Sequence, residues 1–161
     1  MRAGVVPISL LFVALGLALA SAPRRVRISS LLVFVATLGA FSPLRTPQAW
    51  LEFVFLGCWL AVIATAVSVH FASALGLFAA LVLSVDAGFW ASAVLSLGGS
   101  RADLLKAVPW TLIVVPASWF VRRRGALPVK VVSSWIMAVA VLAIGLQLLP
   151  VTPGYLPDHL E

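Results

Sequence analysis

The chain has 161 residues, of which 63% are hydrophobic and 10% charged, and its mean hydropathy is +1.15. A soluble domain of this size needs a far more polar surface, so the composition excludes an ordinary water-soluble fold and predicts an integral membrane protein. The net charge of +6 does not indicate nucleic-acid binding, because the basic residues cluster in short segments between apolar runs. The single cysteine, Cys58, excludes an internal disulfide and a multi-cysteine metal site.

The apolar runs predict helices, because a barrel strand would alternate polar and apolar residues with period two and these runs do not. The run from Thr46 to Ser100 contains no Lys or Arg and is too long for one span, which needs about 20 residues. Its polar cluster "SVHFAS" predicts a turn near His70. The predicted fold is an all-α polytopic integral membrane protein, a single membrane domain over 1–161 with six transmembrane helices in three hairpins. The predicted spans are 4–22, 28–44, 50–69, 72–97, 104–121 and 131–149.

Lys and Arg in short loops set the orientation of a membrane protein. The segments "RRVR" after the first span and "RRRGALPVK" after the fifth are expected on the inside, which puts both termini outside. The cysteine-poor composition, rich in Ala, Val and Leu, favours a bacterial inner membrane with periplasmic termini. The two basic segments also supply candidate contacts to anionic lipid or to a cytoplasmic partner. These candidates are Arg24, Arg25, Arg27, Arg122, Arg123, Arg124 and Lys130.

The first 22 residues also have the pattern of a cleavable signal peptide, with an A-x-A site at residues 20–22. The basic cluster follows the apolar run instead of preceding it, so we expect this segment to be kept as a span. The first and fifth spans share Val-Pro near their start and Ala-Ser before an Arg cluster. This match predicts a parallel internal repeat, the alternative being chance similarity between apolar segments.

The fourth predicted span carries small residues at every fourth position. Such a pattern lets another helix approach closely where lipid gives no hydrophobic drive for association. We therefore expect a helix-packing surface here, with Gly57, Ala61 and Thr65 of the third span as its counterpart, and we expect the fourth span to be the most enclosed helix. This small-residue stripe comprises Ala72, Gly76, Ala80, Ser84, Gly88, Ser92 and Ser96.

Asp86 is an acid inside the fourth span, about 200° around the helix from Ser84 and therefore off the stripe. A charge at that depth costs about 2.5–3.5 kcal/mol on insertion scales, so the carboxyl needs a reason to be there. Three interpretations stay open: a protonatable or ion-binding group on a transport path, a pairing with a donor on another subunit, or a carboxyl capped by a nearby Ser or Trp that only fixes packing. Glu52, at the outer end of the third span, is a weaker candidate and is equally typical of an interfacial residue. His70 is either a pH-sensitive gate or a helix cap at headgroup level.

The sequence contains no nucleotide-binding, metal-binding or nucleophile motif, and its short loops leave no room for an extramembrane catalytic site. We therefore expect no enzyme activity, no cofactor and no metal. The first of two remaining functions is a small membrane subunit that scaffolds or stabilises a larger complex through tightly packed helices. The second is an oligomeric transporter or channel for a small solute or ion, with Asp86 on the path. The expected partners are the lipid bilayer and either other membrane subunits or further copies of the chain.

Overall fold

In a computed structural model that describes residues 5–41, 47–74, 76–97 and 108–149, every regular element is a helix. The α-helices are α1 (Val5–Ala20), α2 (Arg24–Phe41), α3 (Leu51–Ser68), α4 (Leu77–Ser96), α5 (Val114–Arg124) and α6 (Leu127–Leu148). The 3-10 segments are Gln48–Trp50, Val69–Ala74 and Val108–Ile113. Three helical segments are long and apolar enough to cross a membrane: Gln48–Phe71, Leu77–Ser96 and Leu127–Leu148. The all-helical class is confirmed and the chain has the helices of a membrane protein, while the arrangement of six spans in three hairpins, with its parallel repeat, stays a prediction.

Helix α1 lies at the centre of the bundle. Its side chains Leu11, Phe12 and Leu15 are fully buried, and the helix packs against α3, α4 and α5. Helix α4, in contrast, leaves Phe78 and Val82 exposed. The prediction that the fourth span is the most enclosed helix is therefore wrong, because α1 takes that position. A helix that is apolar on every side suits a protein interior as well as lipid, so its sequence does not distinguish the two surroundings.

The short connections between helices lie at one end of the bundle. His70, in the connection after α3, has its Nε2 atom 3.2 Å from Oγ of Ser134 near the start of α6. The charge of Arg122, near the end of α5, acts on Arg27 near the start of α2. Helices α2 and α4 pack extensively side by side. At this end α1, α3 and α5 finish and α2, α4 and α6 begin.

The fifth predicted span is not a continuous α-helix in its described part. Residues 104–107 lie outside the described ranges, Val108–Ile113 is a 3-10 segment, and α-helix begins only at Val114. Pro116 explains the change, because it has no N–H to donate to the carbonyl four residues before it. The α-helical ladder therefore begins beside this proline instead of running through it.

Helices α2 and α6 each begin about four residues before their predicted spans, so that basic residues become part of the helices. Pro23 directly precedes α2, and Pro128 lies in the first turn of α6, where a missing N–H leaves no intrahelical bond unmade. Between α5 and α6, Gly125 has φ of +84°, a value that glycine adopts without strain. This residue lets the chain reverse over two residues, tighter than the nine-residue segment "RRRGALPVK" suggests.

Candidate functional site

Asp86 lies near the middle of α4, and a neighbouring side chain on the same helix satisfies part of its hydrogen-bonding capacity. Trp90 Nε1 donates a hydrogen bond to Oδ1 of Asp86 at 3.1 Å, one helical turn further along. Residues four apart on a helix are neighbours on its surface, so the same helix supplies both the acid and its hydrogen-bond donor. Within the described ranges, Trp90 is the hydrogen-bond partner of Asp86. We call these two residues the Asp86–Trp90 pair.

An open groove runs along the outer surface of α4 beside the Asp86–Trp90 pair. Phe78 is 80% exposed and Val82 49% exposed, so no other part of the described chain covers this surface. A second apolar groove, between α3 and α4, shares these two residues and extends towards the turn at His70. Among the described residues that line this groove, Asp86 is the one ionisable group, on an apolar face that points away from the bundle. The lining of the first groove is Phe78, Leu81, Val82, Val85, Asp86 and Phe89.

Gly57 of α3 makes room for the indole of Trp90. A Cβ atom built on Gly57 would overlap the six-membered ring of Trp90, so a larger residue here forces the ring to move. Gly57 was expected to oppose the small-residue stripe, but its close contact is with Trp90, on the other side of α4. The donor to Asp86 is therefore held against the backbone of a neighbouring helix.

At its closest contact, which is at Gly88, the small-residue stripe packs against α2. The sequence had suggested α3 as the partner. A Cβ atom on Gly88 would lie 2.9 Å from Cβ of Thr37 and 3.1 Å from the carbonyl oxygen of Phe34. Gly76 and Ala72 precede α4, and Gly76 is exposed with open space around it. The packed part of the stripe therefore begins at Ala80, inside α4. Helix α4 faces α2 with its small residues and the outside of the bundle with Asp86. Its buried members are Ala80, Ser84, Gly88 and Ser92, and Ser96 is half-buried.

Glu52 and His70 do not join Asp86. Glu52 is exposed in the first turn of α3, where the helix dipole favours a carboxylate. His70 is exposed in the 3-10 turn and contacts Ser134 of α6. Asp86 lies more than two helical turns into α4 from that turn. The described residues accordingly contain no cluster of His, Cys, Asp or Glu suited to a metal ion.

The buried hydroxyl groups of the bundle do not outline a polar path. Thr65 and Ser84 each donate to the carbonyl oxygen four residues earlier, at 2.7 and 2.8 Å. A hydroxyl that donates to its own helix in this way keeps only its acceptor lone pairs for other partners. Ser133 instead donates to the carbonyl oxygen of Ala66, and so joins α6 to α3. These three hydroxyls therefore bond to backbone carbonyls within or between helices.

Arginines at the start of α2 and at the end of α5 lie at the end of the bundle that holds the short connections. The charges of Arg122 and Arg24 both act on Arg27, whose Nη2 donates to the carbonyl oxygen of Ala22 at 3.1 Å. The guanidinium carbon of Arg123 lies 5.0 Å from the ring centroid of Trp119. Lys130 is half-buried in α6, and the side chain of Arg124 lies outside what the structure describes. We call Arg24, Arg25, Arg27, Arg122 and Arg123 the basic end.

Comparisons of this chain with protein-family models, with curated proteins and with solved structures find no match. Two features of the described chain could act on other molecules: the Asp86–Trp90 pair on the outward face of α4, and the basic end.

Proposed function

We propose that this protein is a small integral membrane subunit that scaffolds a larger membrane complex, and that a transmembrane helix of another subunit packs along the outward face of α4. The observation that carries the proposal is the position of Asp86. It is an acid with one hydrogen-bond donor in the described chain, and it lies beside an uncovered apolar groove.

A carboxyl group in that position favours a partner with a polar side chain. Two carboxylate oxygens offer about four acceptor sites, and the indole of Trp90 occupies one of them. Leaving the remainder towards lipid is costly, since insertion scales assign about 2.5–3.5 kcal/mol to a charged acid at mid-membrane. A helix that carries a Lys, Arg, Gln or Ser at the same depth supplies the missing donor. The apolar residues around Asp86, Val82 and Phe89 among them, suit the rest of such a helix.

The interior of the chain favours this function over a path through a single copy. Helix α1 occupies the centre with Leu11, Phe12 and Leu15 fully buried, and the buried hydroxyls mostly bond within their own helices. Asp86 lies at the periphery, without a second ionisable side chain in its groove among the described residues. A scaffold needs a filled core and an uncovered contact face, and this chain offers both.

We further propose that the protein resides in a bacterial inner membrane with its basic end in the cytoplasm. The basic end combines arginines from the start of α2, next to the connection after α1, with arginines from the end of α5. Positive charge on short loops is retained on the cytoplasmic side of such membranes. The outward face of α4 would then meet its partner within the bilayer, with both chain termini on the periplasmic side.

The test is co-purification from native membranes in mild detergent, with the protein tagged and its partners quantified by mass spectrometry. Asp86→Asn keeps the shape and lowers the acceptor strength, and Asp86→Leu removes the polar group. We expect Asn to reduce the recovery of specific partners and Leu to reduce it further. Glu52→Gln is the matched control, since it makes the same chemical change at an exposed position in the first turn of α3. Equal recovery of partners with all three variants would refute the proposal.

A second candidate function, an oligomeric transporter or channel for a small solute or ion, also depends on Asp86, which would lie on the path. It is favoured by the openness of the Asp86 groove, because two copies facing one another there would line a path with two acids. This arrangement predicts a homo-oligomer in detergent with no other subunit. It also predicts solute or proton flux in proteoliposomes that Asp86→Asn abolishes while the oligomer persists.

A further inference from the structure

The basic end has no acidic counterpart within the described chain. The described ranges contain two acids, Glu52 and Asp86, and both lie elsewhere: Glu52 in the first turn of α3, at the opposite end, and Asp86 near the middle of α4. Arg24 and Arg122 therefore repel Arg27 with no counterion in the part of the chain that the structure describes. Charges held together in this way are stabilised when an external anion lies between them.

Two polar groups beside the basic end also lack partners. Nε of Arg27 and Oγ of Ser30 are buried and make no hydrogen bond within the described residues. These positions are three apart on α2 and so share a helix face. A buried donor without an acceptor is destabilising. Hydrogen-bonding capacity at this end thus exceeds what the described chain satisfies.

An aromatic surface continues from the basic end towards the middle of the membrane. Trp119 is 50% exposed, Phe120 is 40% exposed, and their rings pack edge to face at 5.3 Å. The guanidinium of Arg123 lies over the Trp119 ring. Exposed Trp beside Arg is typical of the headgroup level of a bilayer, with charge outermost and the apolar ring beneath it.

We infer that the basic end binds the phosphate group of an anionic phospholipid between the α1–α2 connection and the end of α5, with an acyl chain along Trp119 and Phe120. The arginines supply a site for a phosphate, and guanidinium groups match phosphate oxygens with two donors each. The adjoining aromatic surface distinguishes a lipid from a soluble anion, because only a lipid brings an apolar tail to cover it. This inference is independent of the function proposed for Asp86.

The experiment measures lipid binding by the whole protein in a neutral detergent. Dioleoylphosphatidylglycerol is titrated against the unfolding temperature and against bound lipid counted by native mass spectrometry, with dioleoylphosphatidylcholine in a parallel titration. We expect the anionic lipid to raise the unfolding temperature at concentrations where phosphatidylcholine does not. Arg122→Gln and Arg27→Gln should each weaken its apparent affinity about fivefold.

Two controls accompany this titration: a variant at a neighbouring lysine, and inorganic phosphate in place of the lipid. Lys130→Gln removes one positive charge from the start of α6. The sequence suggested Lys130 as a lipid contact, but it is half-buried and is not part of the basic end, so the affinity for the anionic lipid should change less than twofold. Inorganic phosphate replaces the lipid in the other arm and should not raise the unfolding temperature. Arg122 is exposed, so Arg122→Gln is expected to fold even if Arg27→Gln does not. The inference fails if phosphatidylcholine or inorganic phosphate stabilises the protein equally, or if Arg122→Gln and Lys130→Gln bind the anionic lipid alike.

Discussion

The indole of Trp90 contacts two helices at once: its Nε1 donates to Oδ1 of Asp86 at 3.1 Å, and its six-membered ring lies against the backbone of Gly57. Packing against α3 holds the ring, so little further side-chain entropy is lost when it hydrogen-bonds to the acid. The carboxyl group is thereby tied to the α3–α4 contact. A substitution at Gly57, Trp90 or Asp86 should therefore alter the packing or hydrogen bonding of the other two residues.

Trp90→Phe should destabilise the protein by removing the donor while keeping most of the aromatic surface. We expect a loss of about 0.6–1.7 kcal/mol in the free energy of unfolding, from the average to the largest value measured for hydrogen bonds between membrane helices. In an Asp86→Leu background the same change should cost less, because the acceptor is gone. Reversible unfolding in mixed detergent micelles measures both, and equal losses in the two backgrounds would show that the hydrogen bond contributes nothing.

Gly57→Ala should destabilise the protein by about 1–3 kcal/mol, since the added methyl group takes the space of the Trp90 ring and forces it to rotate. Gly39→Ala in α2 is the matched control, because a Cβ there meets nothing within 4 Å. It should be neutral or slightly stabilising, as alanine favours helix. Placing Gly57→Ala in a Trp90→Ala background should remove most of its cost. The packing interpretation is wrong if the two glycine variants unfold alike.

The helical class and the turn near His70 could be predicted from the sequence because each depends on local composition. The polar cluster around His70 lies near the middle of a long run without Lys or Arg, where exposed backbone is tolerable, and the helices α3 and α4 do separate there. The central position of α1 could not be predicted in this way. Its residues are apolar on every side, and lipid and protein interior select for the same residues, so enclosure depends on contacts distant in sequence.

The candidate site shows the same division between local and distant information. The rotation of Asp86 away from Ser84 follows from helix geometry, and a Trp four residues later is a local signal for a hydrogen bond. The neighbours of the two glycines are not local. In the sequence, Gly57 and Gly88 both have the pattern of small packing residues. In the structure, Gly57 makes room for the Trp90 ring, and Gly88 lets α2 approach closely. Only the packing of α2 and α3 on different sides of α4 separates the two roles.

Gly88→Ala should weaken the contact between α2 and α4. A Cβ atom at this position lies 2.9 Å from Cβ of Thr37 and 3.1 Å from a backbone oxygen of α2, so the helices must move apart. We expect a cost of about 1–3 kcal/mol, and a larger one for Gly88→Leu, which should impair assembly. Gly145→Ala in α6 is the control, with open space around its Cβ. A Gly88→Leu protein that folds and assembles like the parent would show that this contact is dispensable.

The orientation of the bundle can be tested with single cysteines in a Cys58→Ala background, since Cys58 is fully buried and α3 tolerates alanine at that site. Val26→Cys and Ala126→Cys lie at the end that carries the basic residues, and Gln48→Cys precedes α3 at the opposite end. Because positive charge is retained in the cytoplasm, a membrane-impermeant maleimide applied to intact spheroplasts should label position 48 and spare positions 26 and 126. All three should react once the membrane is permeabilised, which controls for local burial.

Labelling of positions 26 and 126 without permeabilisation would reverse the orientation and move the basic end, with its lipid site, to the outer leaflet. Labelling of positions 26 and 48 together from outside would instead show that α2, the helix between them, does not cross the bilayer.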